Sequence, residues 1–155
     1  MGCGYLIGDS FPPQVESVYV PVFESESNRR GIEFLLTEAV QREIRTRSRM
    51  RLAKPPFAQT RLTGRIIELR KSVVGETRFD DARELQLRLA VEMKWQDLRT
   101  GQILASQRIA LPPEIRQVEA TSEFAPEVGH SLATGVDRVV RDLATRIVDR
   151  MEVAW

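Results

Sequence analysis

The side chains of this 155-residue sequence best suited to chemistry are one cysteine, Cys3, one histidine, His130, an adjacent acid pair and a run of arginines. A thiol and an imidazole can form a nucleophile and base only when a third group orients them and the thiol is held in place. Cys3 lies at the extreme N-terminus, where chain order is least expected. His130 is therefore read as an ordinary residue near a helix end. Asp80-Asp81 reads as a solvated turn pair, because adjacent carboxylates in a hairpin loop favour turn formation. No HxxxH pair and no second cysteine offer metal-ligand spacing. No glycine-rich phosphate loop follows a strand. These absences argue against an enzyme, with a hydrolase the last reading in rank, and no cofactor or metal is expected.

Cys3 admits two readings. Gly2-Cys3-Gly4 has the form of a lipoprotein cleavage box, in which the cysteine becomes the first mature residue and carries acyl chains. The other reading is an ordinary thiol in a loose terminus. The physics of the anchor is simple: each buried methylene contributes ~0.8 kcal/mol, and a stable hold needs more than one acyl chain. A lone cysteine forms no internal disulfide, so thiol pairing says nothing of the compartment.

The densest charge cluster is RTRSRMRLAK, with Arg45, Arg47, Arg49, Arg51 and Lys54. Guanidinium groups can grip anionic oxygens two bonds at a time. Equally, cations gather at the negative end of a helix dipole, which suits Arg45 and Arg47. Lys plus Arg number 23 against 22 Asp plus Glu, a formal charge of +1. Net charge thus gives no footprint for nucleic acid, and no nucleic-acid partner is expected. Apolar residues at 42% and charged residues at 29% describe a globular chain with one core. No apolar run approaches the ~20 residues that cross a bilayer.

Three Pro-Pro pairs, at 12–13, 55–56 and 112–113, punctuate the chain. After the first, VESVYVPVFES alternates as a half-buried strand, with Pro21 implying an edge or a bulge. Ile32, Leu35, Leu36, Ala39, Val40 and Ile44 then fall on one helix face, with Ser27 or Asn28 available as the cap. In RLTGRIIEL, Leu62, Gly64 and Ile66 share a face while Ile67 and Leu69 fall out of phase, which predicts a bulge near Ile66. ELQLRLAVEMKWQD places Leu85, Leu87, Leu89, Val91, Met93 and Trp95 at every second position. LRTGQ turns, and ILASQRIAL returns as another strand. A long helix over 124–153 carries Leu132, Val136, Val139, Val140, Leu143, Ile147 and Met151 on one stripe.

One apolar sheet face and two one-sided helices predict an α+β two-layer sandwich. The expected sheet is four-stranded and mainly antiparallel, in the order β-α-β-β-β-α, with both helices on one face and the other face wet and charged. Such a sheet, with its edges bordered by arginine-bearing loops, can dock to another β-structure or to an amphiphile's head group. The expected divisions are an N-terminal tether, 1–13, and a single domain, 14–155.

Read together, CGYLIGDS, PQVESVYVPVFES, GIEFLLTEAVQREI and RLTGRIIEL resemble the LptE family of outer-membrane lipoproteins. Cys3, Gly4 and Tyr5 match its lipidated Cys-Gly-aromatic start, and Leu62, Gly64 and Ile66 match its L-x-G-x-I strand. The likeness runs over nearly the whole chain and includes the order of elements.

The resemblance implies a lipid anchor at Cys3, with palmitate-type acyl chains, and a place at the periplasmic face of the outer membrane. It implies a protein that assembles with and plugs an LptD-type β-barrel and assists lipopolysaccharide transport. A hydrated barrel interior suits a domain with a wet sheet face. It further implies lipopolysaccharide contacts from loop cations, for which Arg78 in ETRFDD and Arg116 in PEIRQV fit best. Phe79 beside Arg78 could touch an acyl chain, while Asp80 and Asp81 offset its charge. The alternative is a lipid-anchored periplasmic accessory module of another envelope transport complex.

Overall fold

The computed structural model describes residues 11–26, 30–76, 82–110, 114–119 and 127–152, with side chains described outside 70–87 and 110–135. In chain order the elements are β1 (Ser17–Tyr19), β2 (Glu24–Ser25), α1 (Ile32–Arg47), β3 (Arg51–Leu52), β4 (Thr60–Glu76), β5 (Ala82–Asp97), β6 (Ile103–Ala110), β7 (Glu114–Glu119) and α2 (Glu127–Glu152).

The α+β class holds, but the sheet differs in detail from four mainly antiparallel strands. It is a mixed sheet of seven segments in the order β3-β1-β4-β5-β6, with β2 also paired to β4 and β7 also paired to β5. The β4–β5, β5–β6 and β5–β7 pairs are antiparallel. By contrast, β1–β3, β1–β4 and β2–β4 are parallel. The cause is α1: a 16-residue helix carries the chain back along the sheet, so the next strands start from the same end as β1.

The expected bulge is present. Ile66 pairs with Val91 and Glu68 with Ala90, leaving Ile67 as the extra residue, and a second shift lies between Val73 and Gly75. That slip brings Leu69, opposite Leu89, onto the face where Leu62, Gly64 and Ile66 meet Trp95, Met93 and Val91. Pro21 sits in a further irregularity. Tyr19 pairs with Arg61 and Glu24 with Arg65, so the strand carrying Pro21 spends one residue more than β4.

One core joins both helices to a single sheet face. Ile32, Leu36, Val40 and Ile44 of α1 and Val136, Val139, Val140, Leu143, Ile147 and Met151 of α2 cluster with Leu62, Ile66, Val91 and Trp95. Leu35, expected on the buried stripe of α1, is instead 50% exposed, and Thr37 takes an inward place. The reason is a hydrogen-bonding duty. Thr37 Oγ1 accepts the Phe23 N–H at 2.9 Å and donates to the Glu33 carbonyl at 2.6 Å. Gln41 Nε2 donates to the Val20 carbonyl at 3.1 Å. Side chains of α1 thereby satisfy backbone groups stranded by the break around Pro21.

The cap of α1 departs from expectation. Gly31, not Ser27 or Asn28, occupies the N-cap, at φ 101°, a left-handed conformation that favours glycine. Its N–H donates to Glu33 Oε2 at 3.0 Å. Ser27 and Asn28 lie outside the described residues.

The two helices run side by side in the same sense, because Glu43 meets Thr145 and Arg47 meets Asp149 and Glu152. Arg47 Nη1 lies 2.8 Å from Asp149 Oδ1 and 3.3 Å from Glu43 Oε1, while its Nη2 reaches Glu152 Oε1. Burial opposes its charge, but hydrogen bonds to Asp149 and Glu43 and the charges of Glu152 and Asp149 outweigh that and raise its pKa.

Candidate functional site

The sheet face turned away from the helices is polar, and the register builds it row by row. Glu24 of β2, Arg65 of β4, Glu92 of β5 and Arg108 of β6 stand in one row across four segments. Thr63, Lys94 and Ser106 make the next row, and Arg61 with Gln96 the one beyond. Every member is the outward alternate of a buried neighbour, so the strand period that fills the core also lays out this face.

Arg65 is the centre of the charged row. Its Nη2 lies 2.7 Å from Glu92 Oε2, and its Nη1 lies 3.2 Å from Glu26 Oε1. The hydrogen bond to Glu92, then the charges of Glu26 and Glu92, hold its guanidinium above the ordinary pKa. Arg61 stacks over Tyr19 at 5.7 Å from the ring centroid, and its buried Nε has no hydrogen-bond partner. A shallow hollow of about 650 Å³ opens over the rows, lined by Pro21, Val22, Glu24, Arg65, Lys94 and Arg108 among others. Arg108 also borders a groove of about 760 Å³ between β6 and α2, with Arg146, Arg150 and Asp142.

The chemistry of this surface is recognition through fixed charges and hydrogen bonds. Cations and anions alternate along the charged row, and Lys94 adds positive charge beside it. A broad, hydrated partner is met through paired and water-bridged contacts on such a face. Among the described residues no group of three His, Cys, Asp or Glu side chains is placed to hold a metal ion.

Several residues singled out from the sequence fall elsewhere. Cys3, Arg78, Asp80 and Asp81 lie outside the described residues. Arg116 lies in β7 opposite Leu85, and His130 lies near the start of α2; both side chains lie outside the described ones. The basic run is divided by the fold. Arg45 and Arg47 occupy the last turn of α1, as the dipole argument expects, and Arg51 opens β3. Sequence reading did not find the Arg65 row. Its signal was the polar alternates of β4 and β5, but pairing them needs the register set by the Ile67 bulge.

A two-layer α+β module with an open, charge-alternating sheet face is the class that this fold and surface define. The family model described as LptE, lipopolysaccharide-assembly, matches residues 15–151, and the chain belongs to that family. No curated protein matches it significantly.

Solved structures share the fold at low identity. A minor lipoprotein from Acinetobacter baumannii is 17% identical, with a TM-score of 0.55 over 91% of this chain and 93% of that one. Lipoprotein B from Nitrosomonas europaea is 18% identical, with a TM-score of 0.53 over 95% of this chain and 88% of that one. Protein XCC0632 from Xanthomonas campestris is 11% identical, with a TM-score of 0.61 over 93% and 90%.

Proposed function

We propose that this chain is an outer-membrane lipoprotein, anchored through Cys3 at the periplasmic face, that plugs an LptD-type β-barrel and assists lipopolysaccharide transport. The observation that carries the reading is the family match across 15–151 on a domain whose sheet keeps one face polar and uncovered among the described residues. A plug needs a packed core that resists deformation and an outer surface that tolerates water. The helices supply the first by sealing one side of the sheet, and the Arg65 row supplies the second. Residues 1–13 serve as the tether and 14–155 as the domain. Arg78 and Arg116 bring cations to the phosphates of lipopolysaccharide, and the role is one of binding rather than catalysis.

The test is purification of the tagged full-length protein from the outer membrane, followed by mass spectrometry. Recovery of a large LptD-type barrel is expected. Recovery of a different envelope transporter in its place favours an accessory module of that complex and removes the plug reading. The mass of the purified chain checks the anchor, since diacylation at Cys3 adds the mass of its lipid. For the loop cations, the Arg78→Ala/Arg116→Ala pair is expected to weaken lipopolysaccharide binding while leaving Tm unchanged; unaltered binding removes them from the site.

A further inference from the structure

The basic run is only partly explained by the helix dipole and the Arg47 network, and its remainder lies where the N-terminal segment joins the domain. Phe11 is in the core at 6% exposure. Phe11, Pro12 and Pro13 share a hollow of about 520 Å³ with Arg49, Met50 and Arg51. From there the fold leads to an exposed aromatic. Arg51 is the register partner of Ser17, and Ser17 Oγ donates to the Phe57 carbonyl at 3.3 Å. The Phe57 N–H donates to the Lys54 carbonyl at 2.9 Å, closing one turn over Lys54-Pro55-Pro56-Phe57. Phe57 is 83% exposed, the most exposed of the large apolar side chains described.

An aromatic ring held out to solvent within a turn of a lysine and beside an arginine has the composition of a membrane-interface contact. The ring enters the acyl boundary while the cations stay among the head groups. Charge supports the same occupant. Arg49, Arg51, Lys54 and Arg99 lie around this end against Glu16 and Asp97, and Arg51 and Lys54 are exposed.

Chain length supports it too. Cys3 precedes Phe11 by eight residues, and a fully extended peptide spans at most ~3.6 Å per residue. An anchor at Cys3 therefore keeps the Phe11 end within about 30 Å of the bilayer surface. The cations and the ring sit at the end that the anchor holds close.

We infer that the Lys54–Phe57 turn, with Arg51, is a second membrane contact that docks this end of the domain onto anionic phospholipid head groups. The inference rests on the anchored reading for its length argument, while the surface chemistry stands independently. The contact turns a flexible single-point tether into a two-point one. It fixes which end of the domain faces the leaflet.

The test places an indole at the docking point by Phe57→Trp in a Trp155→Phe background. The protein is prepared as the lipidated full chain and as the unlipidated Cys3→Ser chain. Vesicles of phosphatidylethanolamine and phosphatidylglycerol with brominated acyl chains report an indole that reaches the acyl boundary. Quenching is expected in both forms, and for the unlipidated form it should fade with added salt and in phosphatidylcholine vesicles. Arg51→Gln and Lys54→Gln should weaken partition of the unlipidated form about fivefold for each cation removed.

Lipidated protein that is bound to vesicles yet unquenched overturns the docking surface and leaves the anchor standing. An unmodified Cys3 in cells overturns the anchor, and the unlipidated arm then decides the surface alone, with absence of partition overturning it. A photocrosslinker at position 57 that captures a protein in cells in place of lipid also overturns it. Because Phe57 is so exposed, its replacement should leave Tm unchanged, and that measurement excludes misfolding as the cause of any loss.

Discussion

The ring of Phe23 lies directly over the Cα of Gly64, so that a Cβ built on Gly64 would meet Phe23 Cε2, Cδ2 and Cζ, the last at 2.8 Å. Phe23 is 2% exposed and precedes β2, and Gly64 faces the core near the start of β4. The glycine of the L-x-G-x-I strand is thus a steric requirement of the Y-V-P-V-F segment beside it. Neither motif is explained alone. Pro21 breaks the strand, the break turns Phe23 inward, and only a missing side chain opposite leaves it room.

Gly64→Ala is therefore expected to cost ~1–3 kcal/mol, as overpacking of a filled core does. The backbone N–H of Phe23 donates to Thr37 Oγ1 and fixes the residue in place, so the ring cannot simply step aside. Urea unfolding of the single variants and of Gly64→Ala/Phe23→Leu gives the coupling between the two sites. The double variant should recover part of the loss; strict additivity would show that the ring is not what excludes the methyl group.

Arg47 joins the last turns of the two helices through Glu43, Asp149 and Glu152, with its side chain 28% exposed. An exposed ion pair contributes little and a buried one costs much when broken, so this half-buried hub falls between them. Arg47→Met should destabilise by ~1–2 kcal/mol, chiefly because three carboxylates are left facing one another. The loss should shrink in high salt, which screens that repulsion. Arg47→Lys should restore less than half, since an ammonium cannot fork between partners on two helices. Full recovery with lysine would show that charge alone matters there.

What could be read from the sequence was decided by periodicity. Six alternating apolar positions specify β5, and the phase slip between Ile66 and Leu69 predicts a bulge near Ile66, which the pairing places at Ile67. Elements too short to hold a period were lost. Arg51–Leu52 makes a strand of two residues inside what reads as a basic loop, and Ile115 and Val118 in β7 stand three apart, out of step with a strand. The parallel pairings are not legible because they join residues more than thirty positions apart, as Val18 with Leu52 and with Thr60 show, and no local pattern encodes them. The site followed the same division. That one face would be polar was visible in the alternates of β4 and β5, whereas the meeting of Arg65 with Glu92 and Glu26 depends on register.

Asp97 sets an acid limit on the turn that closes β5 onto β6. Its Oδ1 accepts the Arg99 N–H at 2.8 Å, and its Oδ2 lies 2.9 Å from Arg99 Nη2. The side-chain hydrogen bond from Arg99, with further help from the Arg99 and Thr100 N–H groups, holds its pKa below the ordinary carboxylate value despite burial. The unfolded chain therefore takes up this proton at higher pH than the folded one. The stabilisation is fully present above ~pH 4 and is lost as pH falls through the depressed folded value. Asp97→Asn keeps an acceptor for the turn but cannot titrate. Its deficit relative to the native chain should be largest near neutrality and should narrow in acid. Parallel pH–stability curves for the two proteins would remove Asp97 from the acid response.

Arg65 separates folding from recognition. Its partners Glu92 and Glu26 are about as exposed as it is, with side chains 47% and 58% accessible, so water and salt screen the row strongly. The core residues beneath it, Ile66 and Val91, are fully buried without its help. Arg65→Glu should accordingly leave Tm and the urea midpoint close to native. On the surface the same change sets Glu24, Glu26, Glu92 and the new carboxylate side by side, leaving Arg108 as the row's one cation. A partner complementary to the native row would meet repulsion at the row's centre, and like-charge contact at an interface costs several kcal/mol. Recovery of the proposed barrel partner with the tagged variant should fall at least tenfold, and a second reversal, Glu92→Arg, should restore part of it by returning an arginine–glutamate pair to the centre of the row. Undiminished recovery with an intact fold would mean that the proposed barrel partner meets another side of the domain.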